Sequence, residues 1–395
     1  MGFVQSFLEH TKDYESPTSF WRFSAYVAIA SVLRDNCYFS QGSGTLFPNI
    51  YVLLLAGSAD HRKGRPVELC EKLLKEISNT KIISGRASMQ AILMELSRSE
   101  TDKSSGKLQN GGSAIFIAPE LSAAIVADPQ AVGILTDLYT YRESYDSLLK
   151  GTGKFHIERM VFSFFSASNE DLLKQVFDTA AVRGGLLGRT FVVTPNEYRP
   201  SNSLVRFDQQ KEDLLKSTYT EARNHLLKIS NLHGRFVLEE EAIDEYERWY
   251  ISFRDSYKGK ADKSGIVGRL HTGVFKIAMI LAANDQSLSI CKYHVEEAIL
   301  RGLELLPNYQ SFTLSGKSTI AEAGQIILPK LLDAPNFTLE RSIILRDHWM
   351  NIDAAILDSL IISLETGGII QSLHQGGHVS YRLTKVGIGT LGGKI

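Results

Sequence analysis

The chain has 395 residues, of which 44% are hydrophobic and 22% are charged, so its length suits two or three globular domains with large cores. A formal net charge of −1 excludes a global attraction to nucleic acid or anionic lipid, so any contact with DNA must use local basic groups. No apolar run approaches the ~18 residues of a membrane span, and charges near the N-terminus argue against a secretory signal. The three cysteines are widely spaced, which argues against a zinc or disulfide framework and predicts buried thiols in a cytoplasmic protein.

Residues 1–47 are predicted to be helical and to pack against the domain that follows. Residues 50–56 form a continuous apolar run, as expected of a strand that is buried on both faces of a parallel sheet. Gly57 ends this run, Lys63 follows six positions later, and helical periodicity begins after Pro66. Strand, turn, lysine and helix therefore occur in the order of the phosphate-binding loop GxxxxGK[ST].

The loop departs from this motif at two positions. Arg62 replaces the second glycine, and Gly64 replaces the Ser or Thr whose hydroxyl binds magnesium. On spacing alone, a plain strand-turn-helix connection explains the segment equally well. His61 is the only histidine to which we assign a functional role. The candidate nucleotide-binding residues here are Gly57, Ser58, His61, Arg62, Lys63 and Gly64.

Two later apolar strands also end in polar residues. Residues 113–120 form a short strand that ends in Glu120, at the place where the Walker B carboxylate of a P-loop ATPase orients the attacking water, but Pro119 stands where the magnesium-binding Asp is expected. The strand at residues 160–165 leads to Asn169, at the position of a γ-phosphate sensor. An ordinary polar loop is the alternative interpretation of Asn169.

Residues 145–158, just before the sensor strand, are predicted to form a β-hairpin. Two arms of β-compatible residues flank Gly-Thr-Gly, and Lys150 and Lys154 stand on either side of this tip. A solvated surface turn is the alternative interpretation.

Two arginines farther along the chain are candidates for contact with phosphate. Arg189 follows a glycine-rich turn and precedes a fourth apolar strand, from which an arginine can reach a neighbouring subunit's nucleotide. Arg269 lies in a mostly helical region, residues 202–306, and shares a helix face with Lys276. We predict either a solvated charged face or, at Arg269, a second phosphate sensor.

The C-terminal part begins after the segment SGKST at residues 315–319. This segment lacks the upstream glycine and the buried strand of a phosphate loop, so it predicts a connector or a helix start. Helical runs at residues 338–349 and 353–365 are followed by alternating apolar residues on both sides of a glycine turn, which predicts a winged helix. Such modules bind duplex DNA or a partner protein, and the acidic second helix argues against DNA contact through that helix.

The order of these parts resembles the helicase-like P-loop ATPases of phages, plasmids and integrated mobile elements, which are often fused to a primase. The similarity extends over roughly residues 17–310. The matching stretches are FPNIYVLLLAGSADHRKG (47–64), AIFIAPELSAAI (114–125), FSFFSASNEDLL (162–173), GGLLGRTFVV (184–193) and GRLHTGVFKIAMILAA (268–283).

The resemblance implies a role for each candidate residue. Lys63 would hold the β- and γ-phosphates of ATP, accompanied by Mg²⁺ for which protein ligands are not evident. Glu120 would be the catalytic acidic residue, Asn169 the sensor and Arg189 a finger acting on the neighbouring subunit. The hairpin with Lys150 and Lys154 would face the central channel of a ring and contact single-stranded DNA.

The predicted fold is α/β, with a P-loop, RecA/AAA+-like parallel-sheet core, a helical lid and a C-terminal winged helix. The predicted divisions are an N-terminal helical segment (1–47), the ATPase core (48–196), the lid (197–315) and a connector with the winged helix (316–395). No Ser-His-Asp triad or metal-ligand cluster competes with this interpretation.

The predicted function is that of an ATP-dependent DNA translocase or helicase of a phage or mobile element. We expect it to act as a homo-oligomeric ring, a hexamer, on single-stranded or duplex DNA, with a primase or another replication protein as a partner and no membrane contact. Two alternatives remain open. The first is a nucleotide-binding replication initiator or helicase loader that hydrolyses little ATP, which the missing magnesium ligands favour. The second is a structural module that binds no nucleotide.

Overall fold

The computed structural model describes residues 2–42, 44–57, 61–77, 80–85, 87–98, 100–101, 108–109, 112–121, 130–149, 153–169, 185–199, 208–258, 265–309, 319–347, 352, 354–375 and 378–391. The chain divides into two compact units, residues 1–310 and residues 311–395. No helix of the described residues is long and apolar enough to cross a membrane.

The first unit contains the α/β fold. Its elements in chain order are α1 (Phe3–His10), α2 (Thr18–Leu33), β1 (Cys37–Gln41), β2 (Gly44–Leu46), β3 (Tyr51–Leu55), α3 (Gly64–Lys75), β4 (Lys81–Ser84), α4 (Met89–Leu96), β5 (Glu100–Thr101), β6 (Leu108–Gln109), β7 (Ser113–Ala118), α5 (Ala131–Tyr139), β8 (Arg142–Leu149), β9 (Gly153–Ser168), β10 (Thr190–Val193), α6 (Gln209–Ile229), β11 (Gly234–Arg235), β12 (Val237–Leu238), α7 (Glu240–Ser256), α8 (Leu270–Asn284), β13 (Ser289–Ile290) and α9 (Lys292–Glu304).

The central sheet is parallel in the strand order β10-β3-β9-β7-β4, with β8 added antiparallel to β9. Every residue of β3 and of β7 is buried, which explains why both strands appear in the sequence as unbroken apolar runs. The prediction of an α/β fold with a mainly parallel sheet is therefore confirmed. The order differs from the 3-2-1-4-5-6 Rossmann and 2-1-3-4-5 flavodoxin arrangements, because the fourth strand in chain order lies between the first and the third.

The strand β9 belongs to two different pairings. Its first half forms a hairpin with β8, in a register that pairs Leu149 with Gly153, so the hairpin predicted over residues 145–158 is confirmed. Its second half, from Val161 onward, lies between β3 and β7. Arg159, at the junction, has a left-handed φ of 47° and forms an ion pair with Asp35 at 3.2 Å. The strand therefore bends where it changes partners.

The N-terminal segment is only partly helical. The helix α2 is buried on nearly all sides, and it contacts α1, α3, α6, α8 and the sheet. It ends at Leu33, because Arg34 adopts a left-handed φ of 53°. The prediction of a helix up to residue 47 was wrong for Cys37–Gln41 and Gly44–Leu46, which form the antiparallel pair β1–β2. The strand β1 also pairs with β11, which is distant in sequence, so a tertiary contact decides this local structure.

The second unit contains α10 (Thr319–Asp333), β14 (Thr338–Glu340), α11 (Arg341–Asp347), α12 (Ala354–Thr366), β15 (Ile370–Gln375), β16 (His378–Leu383) and α13 (Lys385–Thr390). The strands form an antiparallel sheet in the order β14-β16-β15. The hairpin predicted after the glycine pair is therefore confirmed. Residues 338–340 were predicted to be helical but form a strand, because they pair with residues 380–382.

The core of this second unit lies between its helices and its sheet. Ile327, Leu357 and Leu383 are among the buried residues that pack together there. Of the SGKST segment, Thr319 is the first residue of α10, and residues 315–318 lie outside the described residues.

Candidate functional site

The carboxyl ends of β3, β9 and β7 lie side by side. Leu55 pairs with Ser168, and Ala118 pairs with Ser166. The backbone pairing continues past the strand ends, because the N–H of Ala56 donates to the carbonyl of Ser168 at 3.3 Å. Ligands of open parallel sheets bind at such an edge. The structure thus brings Gly57, Glu120 and Asn169, which follow directly after these strands, to one edge of the sheet.

Lys63 folds back onto the end of β3. Its Nζ donates to the carbonyl of Ala56 at 3.2 Å and to the carbonyl of Gly57 at 2.9 Å. An ammonium group has three N–H donors, and these two carbonyls use two of them. Lys63 directly precedes α3, whose first turn contains no acidic residue and no side-chain cap. The lysine and the N–H groups at the start of this helix therefore form a positive region suited to an anion.

His61 and Arg62 both adopt left-handed backbone conformations, with φ of 53° and 47°. Arg62 stands where the motif has its second glycine, so the chain keeps the glycine-like conformation without the glycine. A left-handed L-residue costs about 1–2 kcal/mol, and such strain persists only where the surroundings enforce it. The loop between β3 and α3 is fixed at one end by the pairing of Ala56 with Ser168. It is fixed at the other end by contacts to His61 and Arg62.

Those contacts come from distant parts of the chain. The Arg62 Nε lies 2.7 Å from a carboxylate oxygen of Glu15, and the Ser16 hydroxyl donates to the Arg62 carbonyl at 3.2 Å. The ring of His61 packs against the ring of Tyr198, with centroids 4.3 Å apart. No sequence pattern indicates this support, because the partners are far apart in the chain and are not adjacent in any motif.

Arg199 in turn holds the segment that contacts Arg62. Its Nη1 donates to the carbonyls of Thr11 at 2.8 Å and Tyr14 at 3.3 Å, and its Nη2 donates to the hydroxyl of Thr18 at 2.6 Å. Glu197 accepts the backbone N–H of Thr18 at 2.7 Å, and the hydrogen bonds from Thr18 lower the pKa of this carboxyl. The segment between α1 and α2 is thus tied to the chain that follows β10, and it braces the loop.

The remaining groups at this edge are polar. Glu120 is exposed and follows the half-buried Pro119. Asn169 is half-buried, and the Ser168 hydroxyl donates to its carbonyl at 3.2 Å. Ser58 and Lys150 lie outside the described residues. Lys154 lies in β9, next to Gly153, its first residue.

The described residues at this edge offer few oxygen ligands for Mg²⁺. Gly64, the first residue of α3, has no side chain to offer a metal, and the described residues contain no group of three His, Cys, Asp or Glu side chains that could hold one. Mg²⁺ is commonly bound through one or two carboxylates together with substrate phosphates and water. At this edge the phosphates of a nucleotide and water would supply the ligands of Mg²⁺, since Gly64 and Pro119 offer none.

Arg189 and Arg269 lie at the opposite edge of the sheet. Arg189 precedes β10, whose first residue, Thr190, pairs with Tyr51, the first residue of β3. The Nη1 of Arg269 lies 3.1 Å from the position that a Cβ would occupy on Gly188. Because Gly188 directly precedes Arg189, the two arginines are close together. The five residues of β3 separate the two edges by about 17 Å. Within one chain, neither arginine therefore approaches Lys63, and a phosphate-sensing role for Arg269 would require a second subunit.

Lys276 joins these arginines and is buried, with 2% of its surface exposed. The prediction that it lies on a solvated face was wrong. Its Nζ donates to the backbone carbonyl and to the Oδ1 of Asn49, both at 2.8 Å, and lies 4.0 Å from the ring centroid of Tyr139. Burial, with a smaller contribution from Arg189, lowers the pKa of Lys276 to about 7. Burial and the charge of Arg269 likewise lower the pKa of Arg189.

No protein-family model matches the chain, and a comparison with the curated proteins finds no match.

We expect Arg62→Gly to keep the free energy of unfolding within about 1 kcal/mol of the wild type, because relief of the left-handed strain offsets the greater freedom of glycine in the unfolded chain. Arg62→Val should lower it by about 2 kcal/mol, since a β-branched residue is strongly disfavoured at positive φ. Urea denaturation measures both changes.

The matched control is Arg65→Gly. Arg65 is also exposed and lies 3.5 Å from a carboxylate, that of Glu68, but it sits in the first turn of α3, where glycine costs about 1 kcal/mol. If Arg62→Gly destabilises the protein as much as Arg65→Gly does, the strain at Arg62 is absent.

Lys276 should make stability depend on pH. The unfolded chain keeps this lysine protonated up to a pKa of about 10.4, whereas the folded chain releases the proton at about 7. Between these values the unfolded state binds more protons, so this contribution to stability rises with pH and is constant below about 7. Lys276→Met removes this pH dependence. The free energy of unfolding of the wild type minus that of the variant should therefore rise from about pH 7 to pH 10.

Denaturation at a series of pH values tests this expectation. The control is Lys75→Met, at a lysine of α3 whose side chain is 58% exposed, for which we expect no such pH dependence. A difference between wild type and Lys276→Met that stays constant over this range contradicts a depressed pKa at Lys276.

Proposed function

We propose that the protein is an ATP-dependent DNA translocase or helicase of the kind found in phages and mobile elements, assembled as a ring with a nucleotide between neighbouring subunits. The observation on which this proposal chiefly rests is the position of Lys63. Its ammonium lies at the end of a buried parallel strand, against the carbonyls of Ala56 and Gly57 and beside the start of α3. This position supports a phosphate-binding loop, in which a lysine that follows a buried strand and the start of the next helix contact phosphate.

In this proposal the carboxyl edge binds the triphosphate. Lys63 and the N–H groups at the start of α3 bind phosphate oxygens, and Mg²⁺ carried with ATP would neutralise part of the phosphate charge. Glu120, exposed at the end of β7, orients the attacking water, and Asn169, at the end of β9, senses the γ-phosphate. The adjacency of β3, β9 and β7 supports these roles, because it puts the three residues at one edge.

The position of Arg189 supports a ring. An arginine that contributes to catalysis must reach a nucleotide, and in its own chain Arg189 lies at the edge opposite the loop. It therefore acts on the nucleotide of a neighbouring subunit, with Arg269 beside it. A hexamer in which each carboxyl edge faces the amino edge of the next subunit satisfies this requirement at every site.

Two further features support contact with DNA. The β8–β9 hairpin extends from the parallel sheet as a two-stranded arm, and Lys154 lies next to Gly153, the first residue of β9; Lys150, which the proposal also assigns to DNA, lies outside the described residues. In the second unit, α10, β14, α11 and α12 precede the β15–β16 hairpin, an order that supports a winged helix that binds DNA or a partner replication protein such as a primase.

A second candidate function is that of a nucleotide-binding replication initiator or helicase loader. The observation that favours it is the absence of both usual magnesium ligands, since Gly64 and Pro119 occupy their positions. Such a protein would bind ATP and assemble without appreciable turnover. The two functions therefore share the binding site and differ in hydrolysis.

We expect Lys63→Ala to weaken ATP binding by at least about tenfold, because a charge-assisted hydrogen bond contributes ~1.5–3 kcal/mol. The control is Lys75→Ala, at the last residue of the same helix, which should bind ATP like the wild type. Titration calorimetry on both folded variants measures the affinities. An unchanged affinity in Lys63→Ala excludes the proposed loop.

ATP turnover measured with and without single-stranded DNA then separates the two candidates. Stimulation of turnover by DNA supports the translocase, whereas tight ATP binding without turnover supports the initiator or loader. Light scattering on the same samples gives the number of subunits.

For Arg189→Ala we expect normal ATP binding and a loss of turnover of about 10³-fold, the scale of an arginine finger. Mixing it with Lys63→Ala subunits should restore part of the activity, because some interfaces then combine an intact loop with an intact arginine. The control is Arg142→Ala, which removes an exposed arginine that is paired with Asp137 at 3.2 Å. A mixture as inactive as its two components contradicts action between subunits.

A further inference from the structure

The three cysteines differ in environment. Cys37 is fully buried, its Sγ donates to the carbonyl of Leu232 at 3.2 Å, and burial raises the pKa of its thiol to about 12. Cys70 is fully buried as well, and burial raises the pKa of its thiol. Cys291 is only half-buried and occupies the N-cap position of α9. The prediction of buried thiols is therefore confirmed for Cys37 and Cys70 but not for Cys291.

Cys291 begins a chain of three interacting side chains. Its Sγ lies 3.4 Å from the Nδ1 of His294, and the Nε2 of His294 lies 3.1 Å from the Oδ2 of Asp285. The backbone N–H of Cys291 also donates to this Nδ1, at 3.1 Å. Nδ1 is therefore the acceptor nitrogen, and the imidazole proton lies on Nε2, toward Asp285. The one lone pair of Nδ1 accepts this backbone N–H, and the thiol, 3.4 Å from the same nitrogen, shares it as a second and longer contact.

His294 and Asp285 are both held in position by their neighbours. His294 is 4% exposed and lies in the first turn of α9. The other oxygen of Asp285 accepts the side-chain N–H of Asn284 at 2.9 Å, and Asn284, itself buried, accepts the backbone N–H of Val4 at 2.8 Å. The carboxylate thus has a fixed orientation toward the imidazole. A nucleophile, a base and a group that orients the base are the three components of an activated nucleophile.

Charged groups from the neighbouring elements surround this chain. Lys292, next to Cys291, lies 3.8 Å from Glu245 of α7 and 3.5 Å from Glu296 of α9. Glu239, at the N-cap of α7, accepts the hydroxyl proton of Ser289 at 2.8 Å. Lys292 is thus paired with carboxylates, and its charge is largely compensated. His294 is the group in direct contact with the sulfur.

We propose that Cys291 is a nucleophilic thiol that exchanges with small disulfides and so forms a reversible site of modification. In this reaction the sulfur of Cys291 attacks one sulfur of the disulfide while its proton moves to the Nδ1 of His294. A new S–S bond to Cys291 forms, and the S–S bond of the reagent breaks. The departing thiolate takes the proton from His294, so Cys291 is oxidised to a mixed disulfide and half of the reagent is reduced to a thiol.

The start of α9 favours the same reaction. Negative charge that develops on the sulfur lies at the positive end of a helix of 13 residues. Asp285 acts as a positioning residue, because it contacts the imidazole and not the thiol. The proposal does not depend on nucleotide binding, since the three residues lie in α9 and in the segment that joins it to α8.

The experiment measures the rate at which the native protein reacts at pH 7 with an aromatic disulfide that releases a coloured thiolate. Peptide mass spectrometry identifies the modified cysteine. We expect Cys291 to react at least about tenfold faster in the native chain than in the urea-unfolded chain, because general-base catalysis contributes ~10²-fold or more. Cys37 and Cys70 should react only after unfolding, and they serve as internal controls.

Two variants test the chain of contacts. His294→Gln and Asp285→Asn should each lower the native rate by at least about tenfold, the second because it disturbs the tautomer of His294. The dependence of the native rate on pH should differ in shape between the wild type and His294→Gln, because the variant lacks the imidazole that accepts the thiol proton. The matched control, Glu296→Gln, removes an exposed carboxylate of the same helix and should react like the wild type.

If His294→Gln does not fold, Asp285→Asn and the comparison of native with unfolded wild type still decide the matter. A native rate no higher than the unfolded rate overturns the proposal. Equal rates in Asp285→Asn and Glu296→Gln would overturn it as well.

Discussion

The rest of the first unit depends on the parallel pairing of β3 with β9. At its carboxyl end this ladder fixes the loop after Leu55 beside the polar end of β9. At its amino end, Asn49 donates to the carbonyl of Phe162 at 2.9 Å and accepts the ammonium of Lys276. One register therefore sets both edges of the sheet. A slip of one residue would turn the buried side chains of β3 to the opposite face, and it would displace both the loop after Leu55 and the group formed by Arg189, Arg269 and Lys276.

Much of the sheet was predictable, because buried parallel strands leave a strong signal in the sequence. The apolar runs at β3, β7 and β10, and the polar residues that follow β7 and β9, need no tertiary information to be recognised. The β8–β9 hairpin was predictable from its glycine tip and its flanking arms. Local signals failed where a distant partner decides the structure, as in β1, which pairs with β11, and in β14, which pairs with β16.

The candidate site was predictable only as far as its motif extends. The spacing of the motif identified Lys63. Arg62 contacts Glu15 and His61 contacts Tyr198, and no local sequence pattern connects these positions. Lys276 occurs in a helical pattern that suggests a solvated face, and only packing reveals that it is buried over Tyr139. Likewise, the contact between Asp285 and His294 needs the turn between α8 and α9, which brings together residues separated by β13.

The left-handed residue Arg159 separates the two halves of β9, and this separation bears on how the protein can vary. Upstream of the bend the strand pairs only with β8, and downstream of it the strand pairs with β3 and β7. Residues added to or removed from both arms of the hairpin would change its reach while the register of the parallel strands stayed fixed. The length of this arm is therefore independent of the packing of the core, and the arm and the parallel sheet are separate parts of one strand.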